Sequence, residues 1–235
     1  RLQVPAGDIA SVRIARRSVD ARDKRDVHFT LSLDVALASA KDEKAQLRRF
    51  KPNQAALLDT QSEHDIFSLP VAPYAADRPR PVVIGAGPAG LFCALGLAVR
   101  GAEPIVLERG KPVDKRTQDI AALIDTGTLN EESNVLFGEG GAGAFSDGKL
   151  TCGLNDPAIR TVLRTLTACG APEDILIDAM PHIGTDLLRG VLKALRGKLL
   201  SLGATILFDH KVTGLDIENG QVTAVRVGEE RISAD

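Results

Sequence analysis

Six consecutive residues, Gly85-Ala86-Gly87-Pro88-Ala89-Gly90, have the types and spacing to hold a diphosphate. Glycine at 85 permits a tight turn. Glycine at 87 leaves its backbone open to close approach, and glycine at 90 lets a following helix lie near a preceding strand. Pro88 suits the first helical position, where its missing N–H costs nothing. The N-terminus of such a helix turns free N–H groups and a positive dipole toward an anion. Some way past the glycines stands Glu108. An acidic side chain about 20 residues on accepts hydrogen bonds from an adenosine ribose, and its charge repels a 2′-phosphate, so NAD or FAD is favoured over NADP.

The glycine pattern alone is weak, and its surroundings give it weight. Val82-Val83-Ile84, bounded by Pro81 and Gly85, reads as a short strand buried on both faces. Leu91, Leu95 and Val99 continue one helical face until Gly101 stops it. Residues 104–107 form a second apolar strand that ends at Glu108. No charged residue lies between Arg80 and Arg100, so hydropathy alone would suggest a membrane span. The glycines and Pro88 inside that window favour strand, turn and helix instead.

The chain has 235 residues, enough for one or two domains, with 44% hydrophobic and 26% charged residues. A net charge of −2 argues against nucleic acid as the main partner. Cys93, Cys152 and Cys169 are far apart and form no CxxC, so neither a redox dithiol nor a zinc site is suggested. Free cysteines, with no signal peptide and no other long apolar run, predict a cytoplasmic protein without a membrane partner. The first residue is not Met, so the chain is expected to be an incomplete product.

Ahead of the glycines, Asp8 is placed to cap a short helix carrying Ile9 and Val12. A mixed-charge stretch follows at 16–25. Val27, Phe29, Leu31, Leu33, Val35 and Leu37 then alternate with smaller or polar residues, which predicts a half-buried strand. The basic residues within 13–25 are a candidate RNA contact, but aspartates interleave with them and no aromatic stands among them to stack bases. A solvated turn is the favoured reading. Residues 41–51 read as a short polar helix, and the proline-rich run at 70–81 as a linker.

Beyond Glu108, the cations of 109–116 read either as a solvated loop or as a route for Arg116 to reach the diphosphate as a charge-assisted donor. Residues 138–148 are rich in glycine yet flanked by Phe137 and Phe145, which suits a loop whose backbone approaches a ligand. Asp156 and Pro157 start a helix that Gly170 stops. Thr185 opens another, with Leu187, Leu188, Val191, Leu192, Leu195 and Leu199 on its apolar face and Gly203 at its end. A strand over 204–208 precedes a hairpin turning at Asn219-Gly220. His182 and His210 have no ligand partners at metal-binding spacing and read as structural, so no metal is expected.

On these residues the chain resembles the uncharacterised FAD-dependent dehydrogenases found widely in bacteria, within the glutathione-reductase-like flavoprotein class. The resemblance runs from about Arg13 to the last residue. It is carried by residues 17–22, 85–90, Glu108-Arg109-Gly110, Ser133-Asn134-Val135, 137–150, 181–185 and the hairpin near 211–227. The Ser146-Asp147-Gly148-Lys149 run is more specific than the glycine motif. The resemblance implies FAD, its adenosine on Glu108 and Arg109 and its diphosphate on residues 85–90. It implies that Gly141, Ala142 and Gly143, in the loop 138–149, lie near the flavin end, and that the Val212 backbone meets adenine. It also makes NAD(P)H a candidate electron donor. In such proteins the strand near Ile232 leads into a further strand ending in a glycine-containing turn over the FAD. This chain ends at Asp235, so the catalytic residues are expected outside it, and the chain alone is expected to hold FAD weakly.

The expected fold is therefore α/β: a Rossmann-like FAD-binding domain over 76–235, with a parallel central sheet and a β-meander, preceded by a small α+β domain over 1–75. The expected function is hydride transfer through a bound flavin to or from a small-molecule substrate. The alternative is a non-catalytic dinucleotide-binding or RNA-associated module using residues 13–25. A purely NAD-dependent dehydrogenase is a third option, and it leaves the glycine loop at 138–149 without a purpose.

Overall fold

The computed structural model describes residues 4–51, 54–58, 73–75, 78–154 and 156–234. The proline-rich run at 70–81 lies partly outside them. The chain opens with a two-stranded antiparallel ribbon, β1 (Ile9–Asp20) and β2 (His28–Leu37), followed by helix α1 (Ala40–Leu47). The helix expected after Asp8 is instead strand, and only a 3-10 turn at Ala6–Asp8 precedes it. Two register shifts in β1, between Ile9 and Ser11 and between Ile14 and Arg16, explain the misreading. Each inserts a residue and breaks the period of two that marks a strand. Across the ladder Val12, Ile14, Arg17 and Val19 face Val35, Leu33, Leu31 and Phe29, so one side of the ribbon is apolar.

That side is not half-buried as expected: Val19 and Phe29 are each 63% exposed, and Leu33 is 51% exposed. The ribbon meets the rest of the fold through Arg17. Its N–H donates to Ile177 O at 2.7 Å, its carbonyl accepts from Ala179 N–H at 2.8 Å, and its guanidinium pairs with Asp178 at 2.7 Å and Asp174 at 2.9 Å. These carboxylates hold the Arg17 pKa above its ordinary value.

The central sheet is parallel, with strands β3 (Val82–Ile84), β4 (Ile105–Leu107) and β5 (Thr205–Leu207) in that spatial order. Alternation across it is clear. Val83, Val106 and Ile206 join one apolar cluster with α2 (Pro88–Val99) and α5 (Thr185–Ser201). Val82, Ile105, Leu107 and Leu207 join a second cluster with Val212, Val225, Val227 and Ile232. Helices thus cover one face and the antiparallel meander β6 (Gly214–Glu218), β7 (Gln221–Val227) and β8 (Glu230–Ser233) covers the other. The meander turns at Asn219 and Gly220, with φ of 52° and 80°, the two positive values that a two-residue hairpin of this kind requires.

Helix α3 (Val113–Thr126) replaces the loop expected after residue 109. Gly127, at φ 71°, ends it in the left-handed conformation. Helix α4 (Ala158–Ala168) starts where expected, with Asp156 accepting the Ala158 N–H at 2.7 Å. Among the described residues no helix is long and apolar enough to cross a membrane.

Candidate dinucleotide site

The turn between β3 and α2 is built as its glycines require. Gly85 has φ 93°, and its N–H reaches Leu107 O at 2.7 Å. A Cβ at Gly90 would lie 1.9 Å from Gly85 O, so helix and strand approach each other as only glycine allows. Gly87 differs. Its φ of −72° suits any residue, and a Cβ there would meet nothing within 4 Å. Among the described residues no contact accounts for a glycine at 87, and the space beside the helix N-terminus is open. No side chain caps this helix, and its first N–H groups have no intrahelical acceptor. The donor set and the clear approach fit a diphosphate.

Glu108 stands at the end of β4, 5% exposed. One carboxylate oxygen accepts the Ala86 N–H at 2.7 Å and the other the Gly110 N–H at 2.8 Å. Each oxygen keeps a second lone pair for a ribose hydroxyl. The segment after β5 lies alongside: His210 N–H donates to Glu108 O at 2.9 Å, and Asp209 N–H to Gly110 O at 3.1 Å. Val212 is thereby brought near Glu108 and packs against the second apolar cluster. His210 turns its Nδ1 to Phe208 O.

The glycine loop comes to the same place. Gly140 N–H donates to Ala86 O at 2.8 Å, and a Cβ at Gly141 would sit 3.5 Å from Pro88 Cδ. Ala142 and Gly143 follow in a 3-10 turn. Farther along, Lys149 pairs with His182 across an isolated antiparallel bridge, with Asp147 in an ion pair to Lys149 at 2.9 Å.

The two arginine candidates are placed differently. Arg109 pairs with Glu132 at 2.7 Å through Nε, and its guanidinium lies 4.0 Å from the centre of the Phe137 ring. Lys211 shares Glu132 at 2.6 Å, and these two cations lower the carboxylate pKa, Lys211 most. Arg116 is wholly buried, with Nε on Asn134 O, Nη1 on Glu139 O and Gly141 O, and Nη2 on Asn134 O and Val135 O. Burial pushes its pKa down to about 10, against the pull of Glu108 and Glu139. It braces the glycine loop, a use that spacing could not reveal.

Glu139 was passed over as one more loop residue. It is fully buried, accepts the Val113 N–H at 2.8 Å and pairs with Arg196 at 2.8 Å. Burial pushes its carboxyl pKa up. A charged residue bracketed by glycines between two aromatics was the available signal.

An anion-ready turn, an acidic strand end and a glycine loop thus form one candidate dinucleotide site in an α/β fold. Residues 80–123, which hold the turn and Glu108, match the model of a family described as FAD binding domain. That match supports FAD binding. Residues 1–36 match a family described as domain of unknown function (DUF8436). A Clostridium beijerinckii protein named "Uncharacterized protein" is 40% identical over 235 residues, all of this chain and 43% of that protein. The chain therefore spans less than half the length of that relative.

Proposed function

We propose that this chain is the cofactor-binding part of a flavin-dependent dehydrogenase, holding FAD in a Rossmann-like unit. The observation that carries the reading is Gly87: it has no steric or conformational reason within the chain to be glycine, and it faces open space at a helix N-terminus. In this reading the N–H groups of Gly87, Ala89 and Gly90 receive the diphosphate, Glu108 accepts hydrogen bonds from the ribose hydroxyls, and the Val212 backbone meets adenine. Gly141, Ala142 and Gly143 border the path toward the flavin. FAD supplies hydride chemistry, and the protein supplies binding, orientation and exclusion of water. A small-molecule substrate, a reduced nicotinamide as electron donor, a cytoplasmic setting and the division at 75/76 belong to the same proposal and rest on the resemblance and on sequence pattern.

The alternative, an RNA contact through 13–25, gains no support from the ion pairs. Arg13 pairs with Asp34, Arg17 with Asp174 and Asp178, Arg22 with Asp20, and Arg25 with Asp23. Titrating FAD into the purified protein and following quenching of its fluorescence tests the proposal. Saturable binding with a flavin absorption band is expected; retention of RNA without any flavin binding would favour the alternative.

A further inference from the structure

Between Phe137 and Ala144 the glycine loop carries no side chain larger than a methyl group except Glu139. Such a segment cannot fix its own conformation, because glycine gives up more backbone freedom on ordering than any other residue. Something else must hold it against the turn.

Two side chains do so from opposite sides. Arg116 of α3 enters beneath the loop, and Gly138, at φ 117°, makes the room: a Cβ there would lie 2.2 Å from Arg116 Cδ. Glu139 is drawn the other way, to the first N–H of α3 and to Arg196 of α5. A guanidinium has five N–H groups, and the five contacts of Arg116 to carbonyl oxygens use that full capacity. The Arg116 guanidinium also lies over the Phe145 ring, at 4.7 Å from guanidinium carbon to ring centre.

The consequence lies in the peptide planes. In a trans peptide the carbonyl and the N–H point opposite ways. The 139–140 peptide gives its carbonyl to Arg116 and its N–H to Ala86 O. The 141–142 peptide also gives its carbonyl to Arg116, so its N–H points away from the guanidinium. Two carbonyl dipoles that would repel an anion are thereby turned inward.

We propose that Arg116 is a positioning residue for the diphosphate site: it sets the glycine loop through the carbonyls of Asn134, Val135, Glu139 and Gly141 and does not touch the cofactor. Direct contact would require it to abandon the buried carbonyls of Asn134 and Glu139, for which no other donor stands among the described residues. Lysine cannot substitute, since a single ammonium offers three donors from one point rather than a planar fork. The inference rests on the FAD reading and can fail separately from it.

The test compares the wild-type chain with Arg116→Lys and, as a milder variant, Phe145→Leu. Amide exchange on the apo proteins reads the loop without cofactor. Exchange at residues 139–143 should rise about tenfold or more in Arg116→Lys, with strand β5 unchanged. FAD titration should show about tenfold weaker binding, and the diphosphate ³¹P resonances of bound FAD should move. A residue serving only general stability would lower the melting temperature and leave those resonances in place. Should Arg116→Lys fail to fold, Phe145→Leu is expected to move the same observables in the same direction by a few-fold. Unchanged loop exchange and unchanged ³¹P resonances in a folded variant overturn the inference. A full-length protein that binds no FAD sinks the FAD reading, while the exchange data still decide whether Arg116 sets the loop.

Discussion

Substitutions at Gly87 and Gly90, three residues apart in one turn, should have opposite consequences. At Gly90 the added methyl would lie 1.9 Å from the carbonyl oxygen of Gly85, and both atoms are fixed to backbone. Ordinary contact begins near 3.4 Å, so helix α2 must move by about 1.5 Å from β3. Leu91, Leu95 and Ala98 pack in the core along this helix, so the shift is transmitted to it. A cost of about 3 kcal/mol or more is expected, near the upper range for overpacking. For a domain of this size that lowers the melting temperature by roughly 6–12 °C. At Gly87 the φ of −72° is ordinary and the space is open, so valine at this N-cap should cost about 1 kcal/mol, the difference between a tolerated and a poor capping residue. Valine there would instead occupy the diphosphate's place and displace two or more charge-assisted hydrogen bonds of about 1.5–3 kcal/mol each. FAD affinity should drop a hundredfold or more. Thermal unfolding of Gly90→Ala and Gly87→Val, paired with FAD titration of Gly87→Val, checks both halves. A Gly87→Val protein that folds and still purifies yellow would refute the phosphate-turn assignment. A Gly90→Ala protein as stable as wild type would refute the close-approach argument.

Glu108→Arg should weaken FAD binding by about 1.5–3 kcal/mol, because a charge-assisted acceptor is lost; equal affinities by titration would remove Glu108 from the ribose. Glu139→Gln should change how stability depends on pH. The folded pKa of Glu139 lies above its ordinary 4.5, so the folded state binds the proton more tightly and the wild type loses stability as pH rises from that value through the raised one. The glutamine variant should lack this loss in denaturant titrations across the same window, and an identical slope would contradict the burial argument. Arg17→Met should loosen the ribbon from 174–179, seen as faster proteolysis at 21–27 while β5 keeps its amide protection. An unchanged cleavage rate would show that Arg17 does not anchor the ribbon.

What was legible in the sequence was local. The turn at 85–90, helix α5 and the Asn219-Gly220 hairpin each depend on residues close together, so periodicity and glycine placement were enough. Strand β1 was hidden because its two bulges interrupt the alternation and because its apolar face is defined only by β2 across the ladder. Helix α3 was hidden because its first turns, from Val113 to Asp119, are mostly charged and polar. The roles of Arg116 and Glu139 depend on partners 18 to 57 residues away, and spacing does not tell which way a side chain turns.

The ribbon's anchorage also has a meaning in time. Arg17 and Asp178 are 161 residues apart, while β1 and β2 are joined by a short turn. A ribosome adding about 5–20 residues per second needs roughly 8–32 s to pass from one to the other. The hairpin can close within microseconds of leaving the exit tunnel. For that whole interval the ribbon lacks its tether to 174–179, while Val19, Phe29 and Leu33 are exposed both before and after that tether forms. A slowly translated stretch between residues 37 and 174 would lengthen the untethered interval, and a faster one would shorten it.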